Sequence, residues 1–418
     1  MTINTSVIIR KEDSVTTYTE SNKILILSPI YPADDIPKGW TPVVHYFARE
    51  WVKMGYEVHV INYVANFPAP VYWVSKILRD KIASKAGFTI RTTFLSDREY
   101  VLEGVNVCRI MMRKPLPHRR YSKGEVKKAL EKTIAYCENN NIKPTALLAH
   151  WSNPQLEMLY HLKTKFNVPT CYVAHGEGHF DVYGKDAVVY WNAVDTVGFR
   201  SEYIKKEFET DDMWVKPSFM CYSGIPSSYN DGTINRHFET VNRIAYVGTL
   251  IKRKYPAQII PALVKVYGKE FLVEYAGEGE ERSSIERLSI EYGVERQVKL
   301  HGRIDREAVI DLLDHSDIFI MISEGEAFGL VYLEAMARGC ITIASRKEGF
   351  DGIIKHGYNG FLCEAGNTEE LSVILGKIQK MTPKERKKIS SNAMETAKKL
   401  TDENAARDYL FNVLKIES

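Results

Sequence analysis

Two carboxylates eight residues apart, Glu326 and Glu334, bracket Phe328-Gly329-Leu330 in the stretch Ser323 to Cys340. A carboxylate is an acceptor-only group, and a polyhydroxylated ring supplies donors. The pair therefore suits the binding of hydroxyl groups. A second set is Gly248-Thr249-Leu250-Ile251-Lys252-Arg253-Lys254, a glycine followed closely by three consecutive cations. Lys and Arg neutralise a pyrophosphate, and the glycine lets backbone amides approach it. A solvated basic loop is the competing reading. His175 is the third candidate. It follows the apolar run Pro169 to Ala174 and precedes Gly176, Gly178, His179 and Asp181, a loop unsuited to a core. His179 competes with it for a functional role. A single His-x-x-x-His pair on a glycine-bearing loop is a weak ligand pattern, and no metal site is expected.

Each set stands just beyond an apolar run. Ile318 to Ile322 reads as a buried parallel strand and Ile341 to Ala344 as the next one. Between them lie a loop with Gly325 and Gly329 and a short helix ending at Gly339. The first N–H groups of such a helix face the C-terminal edge of the sheet, where an anion can sit. On one continuous helix Glu326 and Glu334 would lie about 80° apart, so the loop holds the first and the helix the second. Solvated acids are the usual fate of glutamates. Phe328 in the loop and Ala335 and Ala337 in a slim helix argue against that here. Arg243 to Val247 is the strand before the Gly248 loop. Phe271 to Ala276 leads into Gly277-Glu278-Gly279, where a flat group could approach the backbone, and Val298 to His301 leads into Gly302.

The first half opens strand, helix, strand: Lys23 to Ser28, Pro42 to Met54, Glu57 to Ile61. That order predicts a parallel sheet. Its first loop holds Gly39, at the strand edge where doubly wound sheets bind ligands. Further strands are expected at Val105 to Arg109, Ala146 to Trp151 and Asp195 to Phe199, with Ser201 capping a helix. Pro217, Gly224 and Pro226 mark a break. The expected organisation is an arm over 1–22, a first domain over 23–230, a second over 231–395 and a C-terminal helical segment over 396–418.

At 418 residues the chain has room for two domains, and 44% hydrophobic with 26% charged residues is a globular balance. A formal net charge of +3 does not mark a nucleic-acid binder. The six cysteines are scattered with no C-x-x-C pair, which reads as buried free thiols in a reducing compartment. There is no long apolar N-terminal core and no run that could span a bilayer, so a cytoplasmic location is expected. Residues 71–85 form a basic amphipathic segment, and Arg113 to Arg120 a basic run. Both can lie on the inner face of an anionic membrane, and both can equally be solvated faces.

The pattern Glu326-x-Phe328-Gly329-x-x-x-x-Glu334 resembles the signature of retaining glycosyltransferases of the GT-B type, in the GT4 (glycosyl transferases group 1) family. The resemblance covers nearly all of the second half. It extends to the Gly248 loop, where Lys254 matches a family lysine and Thr249 stands where Arg is usual. It also covers Gly277-x-Gly279 and Gly357-Tyr358-Asn359-Gly360. At Lys347 to Ile354 the family's Gly-Gly-x-Pro-Glu is replaced, and Ser223-Gly224-Ile225-Pro226 resembles its junction turn with both polar anchors altered.

The resemblance implies two Rossmann-like domains facing across a cleft and transfer of a sugar from a nucleotide-diphosphate sugar to a hydroxyl acceptor. It implies a glycan or lipid-linked acceptor, with cell-surface polysaccharide synthesis as the setting, and no cofactor or metal. His175, Glu326 and Lys254 would then be catalytic. Gly39, Gly248, Arg253, Gly277, Phe328, Gly329, Leu330 and Glu334 would line the substrates, with Glu334 on the ribose and Glu326 on the sugar. The final helix would return to the first domain. A sugar-nucleotide 2-epimerase, a non-catalytic nucleotide-sugar-binding subunit and a carbohydrate phosphorylase are the competing readings.

Overall fold

The computed structural model describes residues 10–11, 14–15, 22–36, 41–68, 95–116, 119–176, 180–210, 214–230 and 238–416. They fall into two α/β units. One comprises Met1–Gly198, Asp211–Phe219 and Ala406–Ser418, the other Phe199–Thr210 and Met220–Ala405. Of the expected arm, Arg10–Lys11 pairs antiparallel with Ser14–Val15. The expected boundaries at 230 and 395 thus differ from the observed ones at 219 and 405. The reason is packing. Ile225 and Tyr229 are buried in the core of the second unit, and Ile225 exchanges backbone hydrogen bonds with Leu400 and Asp402. Arg200 donates to the Cys221 carbonyl and to Ser223 Oγ, each at 2.6 Å, which fastens the 199–210 segment to the same unit.

The first unit begins with β1 (Lys23–Ser28), α1 (Val43–Lys53) and β2 (Glu57–Asn66). Val44, Phe47, Ala48 and Trp51 recur at helical spacing and are the buried face of α1. Next come β3 (Arg98–Leu102), β4 (Val105–Arg113), α2 (Lys123–Asn139), β5 (Ala146–His150), α3 (Gln155–Phe166) and β6 (Thr170–Ala174). After them are α4 (Ala187–Trp191), β7 (Thr196–Phe199), α5 (Glu202–Phe208) and β8 (Ser218–Met220). The sheet order is β8-β7-β6-β5-β1-β2-β4-β3. Every residue of β5 and β6 is buried, as parallel strands covered on both faces must be. One element lies outside the expected pattern: β3 pairs antiparallel with β4 as an edge hairpin. Its alternating, half-exposed residues fit an edge position.

The second unit runs β9 (Arg243–Val247), α6 (Ile259–Tyr267), β10 (Leu272–Ala276), α7 (Arg282–Glu291), β11 (Val298–Gly302) and α8 (Arg306–Asp314). It continues with β12 (Ile318–Ile320), α9 (Leu330–Ala337), β13 (Ile341–Ser345), β14 (Phe361–Cys363), α10 (Thr368–Lys380) and α11 (Pro383–Lys399). The final helix is α12 (Asp402–Leu414), whose residues from Ala406 on group with the first unit. The second sheet has the order β11-β10-β9-β12-β13-β14, and its neighbouring strands pair in parallel. The chain therefore moves outward from β9 through β10 and β11, then returns to add β12 on the opposite side of β9. That reversal is a topological switch point, and the loops after β9 and β12 open beside each other at the C-terminal edge. In the first sheet the same reversal lies between β1 and β5. All six cysteines are buried and none forms a disulfide, and no described helix is long and apolar enough to cross a membrane.

Candidate functional site

The switch point of the second sheet brings Lys254 and Glu326 together. Lys254 Nζ lies 3.1 Å from Glu326 Oε2, and the two side chains are only 14% and 17% exposed. The contact is an ion pair without hydrogen-bond alignment, so Glu326 Oε2 is buried with no hydrogen-bond donor among the described residues. Buried polar atoms are ordinarily bonded, and an exception calls for a cause. The two loops are stitched to each other by backbone and side chain. Glu324 N donates to the Arg253 carbonyl at 2.7 Å, and Arg253 Nη1 donates to the carbonyls of Glu324 and Gly325 at 2.9 and 3.2 Å. Tyr255 Oη donates to Glu324 Oε2 at 2.9 Å. Arg253 thus acts first as a clasp for the Glu326 loop, although its charge stays beside the site. Lys252 is exposed.

Gly329 adopts φ +83 as the N-cap of α9, and a Cβ there would lie 2.5 Å from the Tyr332 ring. A residue with a side chain would be strained and would collide. Glycine therefore lets the chain turn abruptly into α9, whose leading amides, from Leu330 on, have no carbonyl inside the helix to bond. Phe328 is 4% exposed. Its ring packs on Phe350 and Tyr222 and lies under the Arg200 guanidinium. The side chain is a core anchor for the loop, so only its backbone is available to a substrate. At Gly277 the structure gives a different reason for glycine from the one expected. The position a Cβ would take is 1.9 Å from the Gly248 carbonyl oxygen. Backbone-on-backbone approach between the loops after β9 and β10 therefore requires glycine at this position. Gly248 N donates to the Ala276 carbonyl at 2.9 Å in the same approach.

Glu348 is a site residue that the sequence reading did not single out. Its Oε2 accepts from Glu326 N at 2.7 Å, and Gly349 N donates to the Glu326 carbonyl at 2.7 Å. The loop beyond β13 therefore holds both sides of the Glu326 backbone. Burial pushes the Glu348 carboxyl above its usual range, and the amides of Glu326 and Gly325 pull it back. The signal available was the position of the Lys347–Ile354 loop after the strand next to β12. Glu334 lies on α9, as expected, and has a partner that was not foreseen. Arg306 Nη2 lies 3.2 Å from its Oε1, while Arg306 Nε donates to Tyr229 Oη at 2.8 Å. Burial raises the Glu334 carboxyl above the ordinary range and Arg306 opposes the shift. Among the described residues no cluster of His, Cys, Asp and Glu is arranged to hold a metal ion.

In the first unit His175 stands one residue beyond β6. His150 pairs in register with Val173, so residue 175, two positions on, shares its face. His150 Nδ1 and His175 Nε2 are 3.0 Å apart. Trp151, held at φ +63, stacks on the His175 ring at 3.8 Å between centroids and 14° between planes. His150 and Trp151 were legible only as polar groups ending a strand; register makes them the partners of His175.

Comparison with known proteins bears on the second unit first. Residues 231–396 match the family described as Glycosyl transferases group 1. The N-acetyl-alpha-D-glucosaminyl L-malate synthase of Bacillus anthracis is 34% identical over 131 residues, which are 31% of this chain and 34% of that protein. An uncharacterised glycosyltransferase of Methanocaldococcus jannaschii is 25% identical over 270 residues, 60% of this chain and 70% of that one. An Anabaena protein solved in complex with UDP has the same fold, with a TM-score of 0.63, 15% identity and coverage of 94% of this chain and 100% of that one. The match to the first relative thus spans about a third of its length, while the fold likeness runs along nearly the whole chain. Both units are the Rossmann-like parallel-sheet domains of a GT-B chain.

The matched segment 231–396 contains Gly248, Arg253, Lys254, Gly277, Glu326, Phe328, Gly329, Leu330 and Glu334. His175 lies outside it, on the first unit. Gly39, His179 and the segment 71–85 lie outside the described residues. Part of the 113–120 run is turned inward. Arg120 pairs with Glu157 at 2.9 Å and Asp186 at 2.6 Å. Lys114 is buried over the Tyr121 ring, and that burial brings its ammonium down to about 8. Those two cations serve internal contacts.

Proposed function

We propose that the chain is a retaining glycosyltransferase that moves a sugar from a nucleotide-diphosphate sugar to a hydroxyl on a glycan or lipid-linked glycan. The observation that carries the reading is the pair Lys254–Glu326 at the switch point, whose buried carboxylate oxygen faces the ammonium but has no aligned hydrogen-bond donor among the described residues. A sugar hydroxyl is such a donor. The diphosphate lies along the amides at the start of α9, with the Lys254 ammonium beside it, and the ribose hydroxyls donate to Glu334. As the glycosidic bond lengthens, negative charge builds on the diphosphate, and Lys254 with the helix N-terminus stabilises it. Cationic side chains thus take the part that a divalent ion plays elsewhere. As the bond from the anomeric carbon to the phosphate oxygen breaks, the phosphate oxygen takes the proton of the acceptor hydroxyl, and the acceptor oxygen forms the new bond to the anomeric carbon. Attack and departure on one face retain the configuration. His175 hydrogen-bonds a substrate hydroxyl. The UDP bound by the Anabaena protein of like fold supports a nucleoside diphosphate as the leaving group.

A thermal-shift screen of UDP-, GDP- and ADP-sugars tests this directly. One class is expected to raise the melting temperature, and Glu326→Ala to abolish the rise. If no nucleotide-sugar shifts the wild type, the donor-site reading is wrong.

A further inference from the structure

His175 belongs to a buried chain of hydrogen-bonding groups that ends on the C-terminal helix. Tyr409 on α12 is 1% exposed, and its hydroxyl lies 3.2 Å from His150 Nε2. His150 is 0% exposed, and its other nitrogen, Nδ1, lies 3.0 Å from His175 Nε2. Aromatic packing fixes the order of the chain. The Tyr409 ring meets Phe47 and Trp51 edge-on at 5.3 and 5.1 Å, and Trp51 Nε1 donates to the Ala406 carbonyl at 2.7 Å. Neither α12 nor the His150 ring can rotate without breaking those contacts.

A neutral imidazole has one N–H and one lone pair. Both nitrogens of His150 are engaged, so the sense of one bond dictates the sense of the other. A phenol is a far stronger acid than a neutral imidazole N–H, and an imidazole lone pair is a better acceptor than a phenol oxygen. Tyr409 therefore donates to Nε2 of His150. The His150 proton then sits on Nδ1 and is donated to Nε2 of His175. That nitrogen is an acceptor, which leaves the His175 proton on Nδ1.

We propose that Tyr409 and His150 are positioning residues that hold His175 as its Nδ1–H tautomer, so that His175 meets the substrate as a hydrogen-bond donor to an oxygen. The proposal rests on the reading of His175 as a substrate-binding group. It gives α12 a part in the chemistry of the first unit: a hydroxyl on the last helix sets the donor character of a side chain beyond β6. Trp151, stacked on the ring, fixes the imidazole plane while Nε2 of His175 faces His150, the two imidazoles being tilted by 54°.

The test uses the full-length chain labelled with 15N-histidine. Long-range proton–nitrogen correlation spectra identify which nitrogen of each neutral ring carries the proton, and His175→Gln assigns the His175 signals. Protonated Nδ1 and unprotonated Nε2 at His175 are expected in the wild type. Protonation at Nε2 there overturns the proposal without any variant having to fold. Tyr409→Phe keeps the ring packing and removes the donor. It is expected to convert the His175 pattern to a tautomer mixture and to lower kcat about 3- to 10-fold with donor KM unchanged. An unchanged tautomer pattern in that variant also overturns it. If the pattern is as proposed but His175→Ala leaves turnover intact, the positioning chain stands and the substrate role of His175 fails.

Discussion

Lys254→Met separates stability from chemistry at the proposed donor site. In the structure the ammonium and the Glu326 carboxylate are 3.1 Å apart at 14% and 17% exposure. Removing the cation strands a largely buried carboxylate. Exposed pairs contribute up to about 1 kcal/mol, and breaking a buried one costs about 3–5 kcal/mol. This partly buried pair should cost about 2–3 kcal/mol, a fall of about 5–10 °C in the melting temperature of a unit this size. Turnover should fall further than stability explains. A charged donor aimed at developing charge in a transition state contributes about 100- to 1000-fold in kcat. The double variant Lys254→Met/Glu326→Gln removes both charges and should recover most of the stability, because no unpaired ion is left. It should recover none of the turnover. The assay is differential scanning fluorimetry alongside release of nucleoside diphosphate, with the donor selected by the thermal-shift screen. Two results would refute the reasoning: turnover of the single variant within about threefold of wild type, or turnover restored together with stability in the double variant. Either would make the ion pair a structural clasp.

Two further outcomes are expected, one at the same loop and one in the first unit. Glu348→Ala leaves the Glu326 amide without its carboxylate acceptor and should cost about 1–3 kcal/mol and raise donor KM, whereas Glu348→Gln, which keeps an oxygen, should be milder on both; fluorimetry and initial rates distinguish the two. Burial holds the imidazoles of His45 and His59 below their ordinary value of 6.5, despite the nearby Glu103 and Glu57 carboxylates. Because the folded state binds fewer protons there than the unfolded chain, their contribution is complete above pH 6.5 and is lost as pH falls through the lowered folded values. The melting temperature should therefore drop on acidification below about pH 6.5, and His45→Asn or His59→Asn should flatten that slope. A slope unchanged by either substitution would remove these residues as its cause.

Much of the candidate site was legible because parallel strands impose a simple rule. Runs such as Ile318–Ile320 and Ile341–Ser345, mostly apolar, are buried at every position, and successive parallel strands present their C-terminal ends on one edge. Lys254 and Glu326, each just beyond such a run, could be placed on that edge from local pattern alone. The short helix carrying Glu334 followed from Gly329 and the slim alanines. What local pattern does not encode is strand order. Lys254 and Glu326 touch because β12 returns to the side of β9, a pairing across about seventy residues that neither period-2 nor period-3.6 spacing records.

The same limit accounts for the other differences. Gly277 is required by the Gly248 backbone, Glu348 reaches Glu326 from the loop beyond β13, and Arg306 reaches Glu334 from α8. The break at Pro217 and Pro226 was visible, but the unit boundary moved to 219 because Ile225 and Tyr229 find their burial in the second core. His175 was recognisable from its loop. Its tie to His150 depends on register, and the tie to Tyr409 on where a helix more than two hundred residues away packs. Residue types and their place after each strand determined which groups could do chemistry. Tertiary structure alone decided which of them meet, because side-chain contacts across a sheet are set by long-range strand order and register.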